Sequence, residues 1–171
     1  MERIGGIGLG ANLGERLETM QRAVDALART PHIRVRAVSP VYETEPVGPP
    51  QPCYLNAAAR IETDLEPDAL LDALLAIEVA NGRVRAERWG ARTLDLDVLV
   101  LCDARSGEPL VIDSPRLQVP HPHLLERTFA LAPLLDVMPE LAPKWGDTLR
   151  ALGGRPPRAE RSQSIVVPRR H

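Results

Sequence analysis

The chain has 171 residues, of which 44% are hydrophobic and 26% are charged, a composition typical of one globular domain with its own core. No run approaches the ~18 apolar residues of a membrane span, the first residues lack the basic start of a signal peptide, and a net charge of −2 argues against a polyanion binder. Two cysteines are too few for a disulfide framework, so we expect a cytoplasmic protein with no membrane or nucleic-acid partner.

The hydrophobic pattern predicts six regular elements within the first 101 residues. In chain order they are a strand at 2–9, a helix at 15–30, strands at 33–38 and 55–63, a helix from Pro67 to the Asn81-Gly82 stop, and a strand at 93–101. Residues 10–14 are expected to form a turn, and the proline-rich stretch 44–53 a loop. The order βαββαβ predicts an α+β fold of the ferredoxin-like kind, a two-layer sandwich with both helices on one face of an antiparallel sheet.

Shorter elements are expected after residue 101. Ser106-Gly107 predicts a hairpin that returns through residues 110–112, and residues 119–138 predict two short helical pieces interrupted at Pro133. We expect one domain over residues 1–153. The remaining segment, 154–171, has five Arg, one Glu and three Pro, which predicts a basic, mobile C-terminal tail.

Only five residues are aromatic, so the core has to be built from Leu, Val, Ile and Ala. The five are Tyr42, Tyr54, Trp89, Phe129 and Trp145. A large aromatic side chain outside such a core is therefore a candidate for a purpose other than packing.

Asp95 and Asp97 are the strongest local candidates for chemistry. In a strand, residues i and i+2 share a face about 6.6–6.8 Å apart, so both carboxylates project together. Carboxylate oxygens suit Mg²⁺, and two of them can hold a pair of ions. The alternative is the wet face of an ordinary half-exposed strand.

A basic stretch directly precedes the two aspartates. Residues 83–92 contain Arg83, Arg85, Arg88 and Arg92 against a single Glu. These cations could simply neutralise the carboxylates. They could equally clamp the oxygens of a metal-complexed polyphosphate, because guanidinium groups bind phosphate in a fork geometry.

His121 and His123 alternate with prolines shortly before Arg127. No cysteine or third histidine lies near enough to complete a structural zinc site. The two histidines and Arg127 could contact phosphate at the start of a short helix, or they could be incidental to a proline-rich turn.

Three further features have a structural explanation beside a functional one. Residues 8–14 are one position too long for a dinucleotide fingerprint, and we interpret them as turn chemistry. Tyr54 and Asn56 could offer a stacking face and an amide to a heterocycle, or Tyr54 could cover the core. Phe129 taken alone would be assigned to the core.

Five motifs stand in order along the chain: GANLG at 10–14, YETEPVG at 42–48, YLNAA at 54–58, GRVRAERWGARTLDLDVL at 82–99 and PHPHLLERTF at 120–129. Together they resemble the 6-hydroxymethyl-7,8-dihydropterin pyrophosphokinase family of folate biosynthesis, over residues 5–141. The resemblance implies a ferredoxin-like enzyme, expected to be a monomer, that transfers the pyrophosphoryl group of ATP to the pterin hydroxymethyl group and releases AMP. It also implies two Mg²⁺ ions as cofactors.

The resemblance assigns roles to individual residues. It implies that the two Mg²⁺ ions are ligated by Asp95 and Asp97, which act in catalysis with Arg83 and Arg92. It implies nucleotide contacts from Glu78, Arg83, Arg85, Trp89, Arg92, Val98, Arg116, His121 and Arg127. It implies pterin contacts from Thr44, Glu45, Pro46, Val47, Tyr54, Asn56, Trp89 and Phe129.

Two functions from other classes compete with this one. A ferredoxin-like RNA binder would use the arginine stretch and the basic tail, although paired aspartates repel a phosphate backbone. A metal-dependent phosphohydrolase would use the same carboxylates and release phosphate without an acceptor.

Overall fold

The computed structural model describes residues 2–12, 16–44, 54–81, 94–159 and 164–168. The strands are β1 (Arg3–Ala11), β2 (Ile33–Val38), β3 (Tyr42–Thr44), β4 (Tyr54–Thr63), β5 (Asp95–Asp103), β6 (Ile112–Asp113) and β7 (Gln118–Val119). The helices are α1 (Arg16–Arg29), α2 (Pro67–Ala80), α3 (Thr128–Val137) and α4 (Ala142–Ala151), with short 3₁₀ turns at Leu124–Glu126 and Pro139–Leu141.

The main sheet is antiparallel and has the strand order β2-β4-β1-β5, with the short strand β3 also paired to β4. The predicted ferredoxin-like βαββαβ order is therefore confirmed. Strand β3 is an addition within the connection between β2 and β4, where a loop was expected from Thr44 onward.

The strand β1 runs through the centre of the sheet and separates two hydrophobic clusters. Ile7, Leu9 and Ala11 pack with α1 and α2 on one face. The glycines that alternate with them leave the other face open for close packing: a Cβ atom added at Gly6 would lie 2.2 Å from Leu134 of α3. The strand continues to Ala11, so the prediction that a turn begins at Gly10 is wrong.

The strand β5 contains a register shift opposite Gly6 and Ile7 of β1, where Gly6 pairs with Val100 and Ile7 with Val98. Leu99 is the extra residue of this β-bulge. Before the bulge, Leu96 and Val98 belong to the hydrophobic cluster that packs against α1 and α2. Leu99 and Val100 both belong to the cluster on the opposite face of the sheet. The bulge explains why the sequence changes there from alternation to a continuous apolar run.

The second face of the sheet is covered by α3 and α4, so that the sheet has helices on both sides. This cluster contains Leu131, Leu134, Leu135, Trp145 and Leu149, together with Tyr42 of β3. The predicted break at Pro133 is wrong, since α3 continues through this residue to Val137. Proline removes one helical hydrogen bond, and the burial of the leucines on either side outweighs that loss.

The segment after β5 only partly follows the sequence prediction. Gly107, with a φ of 74°, closes a turn by donating to the carbonyl of Asp103, and the chain returns beside β5 as far as Leu110. Ile112 then pairs with Val119 of β7 instead of with β5. Helix α4 was not predicted.

The described residues of the 154–171 segment lie against the domain, whereas composition predicted a mobile tail. Pro157 and Ala159 hydrogen-bond to the backbone of Glu43 in β3 and of Val41 directly before it. Farther on, Val166 exchanges two hydrogen bonds of 2.8 Å with the Gln21 side chain of α1. Among the helices in the described part of the chain, none is long and apolar enough to cross a bilayer.

Candidate active site

Two glycines of β1 form the floor of a cleft at one end of the sheet. Gly10 pairs with Asp95 on one side and Asn56 on the other, and Gly8 pairs with Asp97. Residues opposite one another in a sheet point to the same face, so both carboxylates and the amide stand around a floor without side chains. The paired aspartates therefore project into open space above β1, as the spacing predicts.

A cavity of about 410 Å³ lies above this floor. Tyr54 and Thr44 line it from the sheet, and Phe129 lines it from the first turn of α3. Phe129 is 38% exposed, which is unusual for a phenyl ring in a chain so poor in aromatics. Arg127 places its guanidinium carbon 5.7 Å from the centre of the Phe129 ring.

The amide of Asn56 is held in one orientation inside this cavity. Asn56 is 8% exposed, and its Nδ2 donates a hydrogen bond of 3.0 Å to Oγ1 of Thr44. With the amide nitrogen engaged in this way, Oδ1 lies toward the glycine floor, where it would be 3.4 Å from a Cβ atom at Gly10. The site thus presents a buried carbonyl oxygen as a fixed acceptor.

A second cavity, of about 430 Å³, adjoins the first. It is lined by Leu71 of α2, by Val98 of β5 and by the β6–β7 hairpin, including Arg116. Asp97 and His121 line both cavities. These two side chains therefore mark the boundary between an aromatic cavity and a neighbouring one with a cationic edge.

His121 is held over this boundary by two hydrogen bonds. Its backbone N–H donates to the carbonyl of the bulged Leu99 at 2.8 Å, and its ring Nδ1 accepts from the backbone N–H of His123 at 3.1 Å. An accepting Nδ1 places the ring proton of neutral His121 on Nε2. Burial lowers the pKa of His121, Asp97 opposes the shift and nearby Arg127 adds to it, so the environment favours the neutral ring.

Glu78 lies beneath the site and not in either cavity. Its side chain on α2 is buried, and Oε2 accepts a hydrogen bond of 3.0 Å from the backbone N–H of Leu96. Leu96 lies between the two aspartates. The contact therefore ties α2 to the part of β5 that presents both carboxylates.

The structure brings together the predicted site residues that lie in described segments, apart from Glu78. They are Thr44, Tyr54, Asn56, Asp95, Asp97, Val98, Arg116, His121, Arg127 and Phe129. The remaining predicted residues lie outside the described part of the chain: Glu45, Pro46, Val47, Arg83, Arg85, Trp89 and Arg92.

Sequence reasoning missed Gly8 and Gly10 as site residues. Glycines at alternate positions of a strand share a face, and a glycine within a strand often marks close approach of a ligand or backbone. That period was visible in the sequence, but the glycines were assigned to a turn. Of the β6–β7 hairpin, only Arg116 was named in advance, through the family resemblance; no sequence pattern indicated Ser114 or Leu117, which also line the second cavity.

Fold and cavities together define an α+β domain with a carboxylate-centred cleft. Residues 6–139 match the model of the 7,8-dihydro-6-hydroxymethylpterin-pyrophosphokinase (HPPK) family. The chain is 51% identical over 136 residues to a 2-amino-4-hydroxy-6-hydroxymethyldihydropteridine pyrophosphokinase of Pseudomonas aeruginosa, covering 79% of this chain and 80% of that protein. A Synechocystis protein of the same name is 40% identical, covering 84% of this chain and 71% of the relative.

Solved structures agree at the level of the fold. The structure of an HPPK-DHPS in complex with substrates superposes with a TM-score of 0.61 at 13% identity, covering 87% of this chain. The chain spans 46% of the length of that protein. With residues 6–139 matched by the family model, the chain belongs to the HPPK family of pyrophosphokinases.

Proposed function

We propose that this chain transfers the pyrophosphoryl group of ATP to 6-hydroxymethyl-7,8-dihydropterin. The hydroxymethyl oxygen forms a bond to the β-phosphorus, the bond from that phosphorus to the α-phosphate oxygen breaks, and AMP leaves while the hydroxyl proton passes to solvent. The observation that carries the proposal is the pair of adjoining cavities that share Asp97 and His121. Two substrates bound side by side would meet at this boundary.

The aromatic cavity suits the pterin. Tyr54 and Phe129 supply flat faces for a flat heterocycle, and the Asn56 amide, aligned by Thr44, reads its polar edge. Glu45, Pro46 and Val47 directly follow Thr44 in the sequence and are proposed to add backbone contacts. Phe129 remains partly exposed because its partner in the cavity is a ligand.

The neighbouring cavity suits the nucleotide. Leu71 and Val98 supply apolar surface for a base, and Arg116 lies at the edge. We propose that His121, which lines both cavities, and Arg127, which lines the first, contact the phosphates. We propose that Arg83, Arg85 and Arg92 neutralise the remaining phosphate charge, and that Trp89 contacts both substrates.

The donor set at the boundary fits Mg²⁺. Among the described residues, no three His, Cys, Asp or Glu side chains converge as an all-protein metal site. Mg²⁺ instead favours one or two carboxylates completed by water and substrate phosphates, and Asp95 and Asp97 provide that pair. We propose that they hold two Mg²⁺ ions, which when bound stabilise the charge that develops on the phosphates.

In this proposal the protein side chains align the two substrates and neutralise charge, and they form no covalent bond to either substrate. Phosphoryl transfer depends mainly on alignment and charge neutralisation. His121 accepts at Nδ1 from the His123 backbone, which orients its ring so that Nε2 is the nitrogen available to a phosphate oxygen. Glu78 orients both carboxylates through the Leu96 amide, so its proposed role at the nucleotide site is to position and not to contact.

The proposal is tested by identifying the nucleotide product. Purified protein is incubated with ATP and Mg²⁺, with and without 6-hydroxymethyl-7,8-dihydropterin, and nucleotides are separated by anion-exchange chromatography. We expect AMP in equal amount to pterin diphosphate, and no turnover without pterin. ADP as product would contradict the proposal, and acceptor-independent phosphate release would indicate a phosphohydrolase.

We also propose that the enzyme acts as a cytoplasmic monomer. Cys102 is a buried free thiol, as suits a reducing compartment. The large apolar side chains exposed in the described residues are spread over several elements, with Leu75 and Val79 on α2 and Val111 before β6. Sedimentation at micromolar concentration should give the mass of one chain, 18.7 kDa.

A further inference from the structure

Residues 154–159, the edge segment, run along the side of β3 that faces away from β4. The N–H of Glu43 donates to the carbonyl of Pro157 at 3.0 Å, and the N–H of Ala159 donates to the carbonyl of Val41 at 2.9 Å. These two bonds form an antiparallel bridge around Tyr42 and Arg158. The first two residues of β3, Tyr42 and Glu43, are therefore held from both sides.

Side chains fasten the same segment to α3. The Tyr42 hydroxyl donates to Asp136 of α3, and the Arg155 guanidinium contacts the other oxygen of that carboxylate at 3.1 Å. Tyr42 is fully buried and the Asp136 side chain is 13% exposed, whereas the Arg155 side chain covers them from the surface and is 46% exposed. The guanidinium carbon of Arg158 lies 6.0 Å from the centre of the Tyr42 ring.

The strand held in this way carries part of the pterin cavity. Tyr42 pairs with Asn56, and Thr44 pairs with Tyr54. Thr44 also accepts the hydrogen bond that orients the Asn56 amide. A strand of three residues makes few backbone bonds to β4, so a displacement of β3 would shift Thr44 and disturb the hydrogen bond that orients the Asn56 amide.

We propose that the edge segment is a positioning element for the pterin half of the active site. It acts through β3 on Thr44 and Asn56, and touches neither substrate. The inference rests on the proposed function, because it needs the cavity of Tyr54 and Phe129 to be the pterin site. Its consequence is selective: loosening the segment weakens pterin binding and leaves ATP binding unchanged, because no described residue of the segment lines the second cavity.

The test replaces Ala159 in the full chain. Ala159→Pro removes the N–H that donates to Val41. The matched variant Ala159→Ser keeps this N–H and has a side chain of nearly the same size as alanine. Loss of one backbone hydrogen bond corresponds to about a three- to tenfold rise in the KM for pterin. The KM for ATP should stay within about twofold of wild type, and Ala159→Ser should behave as wild type.

Arg155 provides an independent variant. Arg155→Met removes the charge facing Asp136 and keeps most of the aliphatic stem, while Arg155→Lys restores a cation. We expect Arg155→Met to raise the KM for pterin selectively and Arg155→Lys to recover at least half of that effect. Amide hydrogen exchange at Glu43 should accelerate in both Ala159→Pro and Arg155→Met, since its N–H donates to the edge segment.

The outcomes separate the two proposals. Equal changes in both KM values, or unchanged KM values despite faster exchange at Glu43, would show that the edge segment only stabilises the fold. Protection at Glu43 unaltered by Ala159→Pro would show that the segment does not hold β3. Tyr54→Ala serves as the reference: if it leaves the KM for pterin unchanged, the assignment of the pterin cavity itself fails.

Discussion

Asp97 is the single side chain whose replacement tests the site most directly, because it borders both cavities. Asp97→Asn keeps the shape and removes the charge. We expect kcat to fall by about a thousandfold or more, since metal-assisted charge stabilisation contributes several kcal/mol. Asp95→Asn should have a similar effect, and steady-state AMP formation measures both.

Asp103→Asn is the matched control on the same strand. Asp103 closes a turn by accepting from the backbone amides of Arg105 and Ser106, which an asparagine Oδ1 can also do. It should retain wild-type kcat. Near wild-type turnover in Asp97→Asn with Mg²⁺ present would refute the assignment of the carboxylates as metal ligands.

We expect the buried thiol of Cys102 to make the folded chain less stable at alkaline pH. Burial raises the pKa of its thiol to about 11. The unfolded thiol has a pKa of about 8.5, so its contribution to folding is full below that pH and is lost as the pH rises through about 11. In a Cys53→Ser background, the stability advantage of Cys102 over Cys102→Val should shrink between pH 7 and pH 10 in urea unfolding. An advantage that grows with pH would contradict this.

Local spacing made some site residues visible and hid others. Asp95 and Asp97 could be assigned to one face because the strand period depends on adjacent residues alone. Gly8 and Gly10 follow the same period, but a glycine has no side chain whose chemistry would indicate a site. Their role emerged once carboxylates and an amide were found on either side of them.

At the scale of elements, Glu78 links α2 to β5. Glu78→Ala leaves the buried amide of Leu96 without its carboxylate acceptor, which we expect to cost about 1–3 kcal/mol in the free energy of unfolding. Glu78→Gln keeps an acceptor oxygen and should cost less. Urea unfolding measures both, and an alanine variant as stable as wild type would show that the contact contributes little.

Helix α3 and the bulge of β5 show where element prediction was limited. Pro133 signals a break in an isolated helix, but here α3 is buried against β1 and β4, and packing decides. The bulge at Leu99 was present in the sequence as a change of pattern. The register shift behind that change needs the partner strand, because a bulge is defined only by what it faces.

At the scale of the whole molecule, substrates should stabilise the folded chain by mass action. A non-transferable ATP analogue at about 100 times its Kd, with Mg²⁺, should add about 2.7 kcal/mol and raise Tm. Chelation by EDTA should abolish the nucleotide effect and leave stabilisation by the pterin intact. Differential scanning fluorimetry measures both shifts. A nucleotide shift that survives EDTA would argue against Mg²⁺ bound through Asp95 and Asp97.

Charge distribution over the molecule separates the enzyme from the rival RNA binder. The net charge is −2, so the basic stretches are local. We expect no RNA affinity with the steep salt dependence of a phosphate-backbone contact. Filter binding of single-stranded RNA across a range of salt concentrations checks this, with pterin fluorescence in parallel as the positive signal.

The sequence by itself determined the order βαββαβ, the pairing of the aspartates and the short list of aromatics, because each follows from neighbours along the chain. Tertiary structure alone decided how α3 closes the second face, how two cavities meet at Asp97 and how residues 154–159 hold β3. Those features depend on contacts between distant positions, such as Tyr42 and Asp136, 94 residues apart. No local sequence pattern predicts such a contact, because the two residues come together only when the chain has folded.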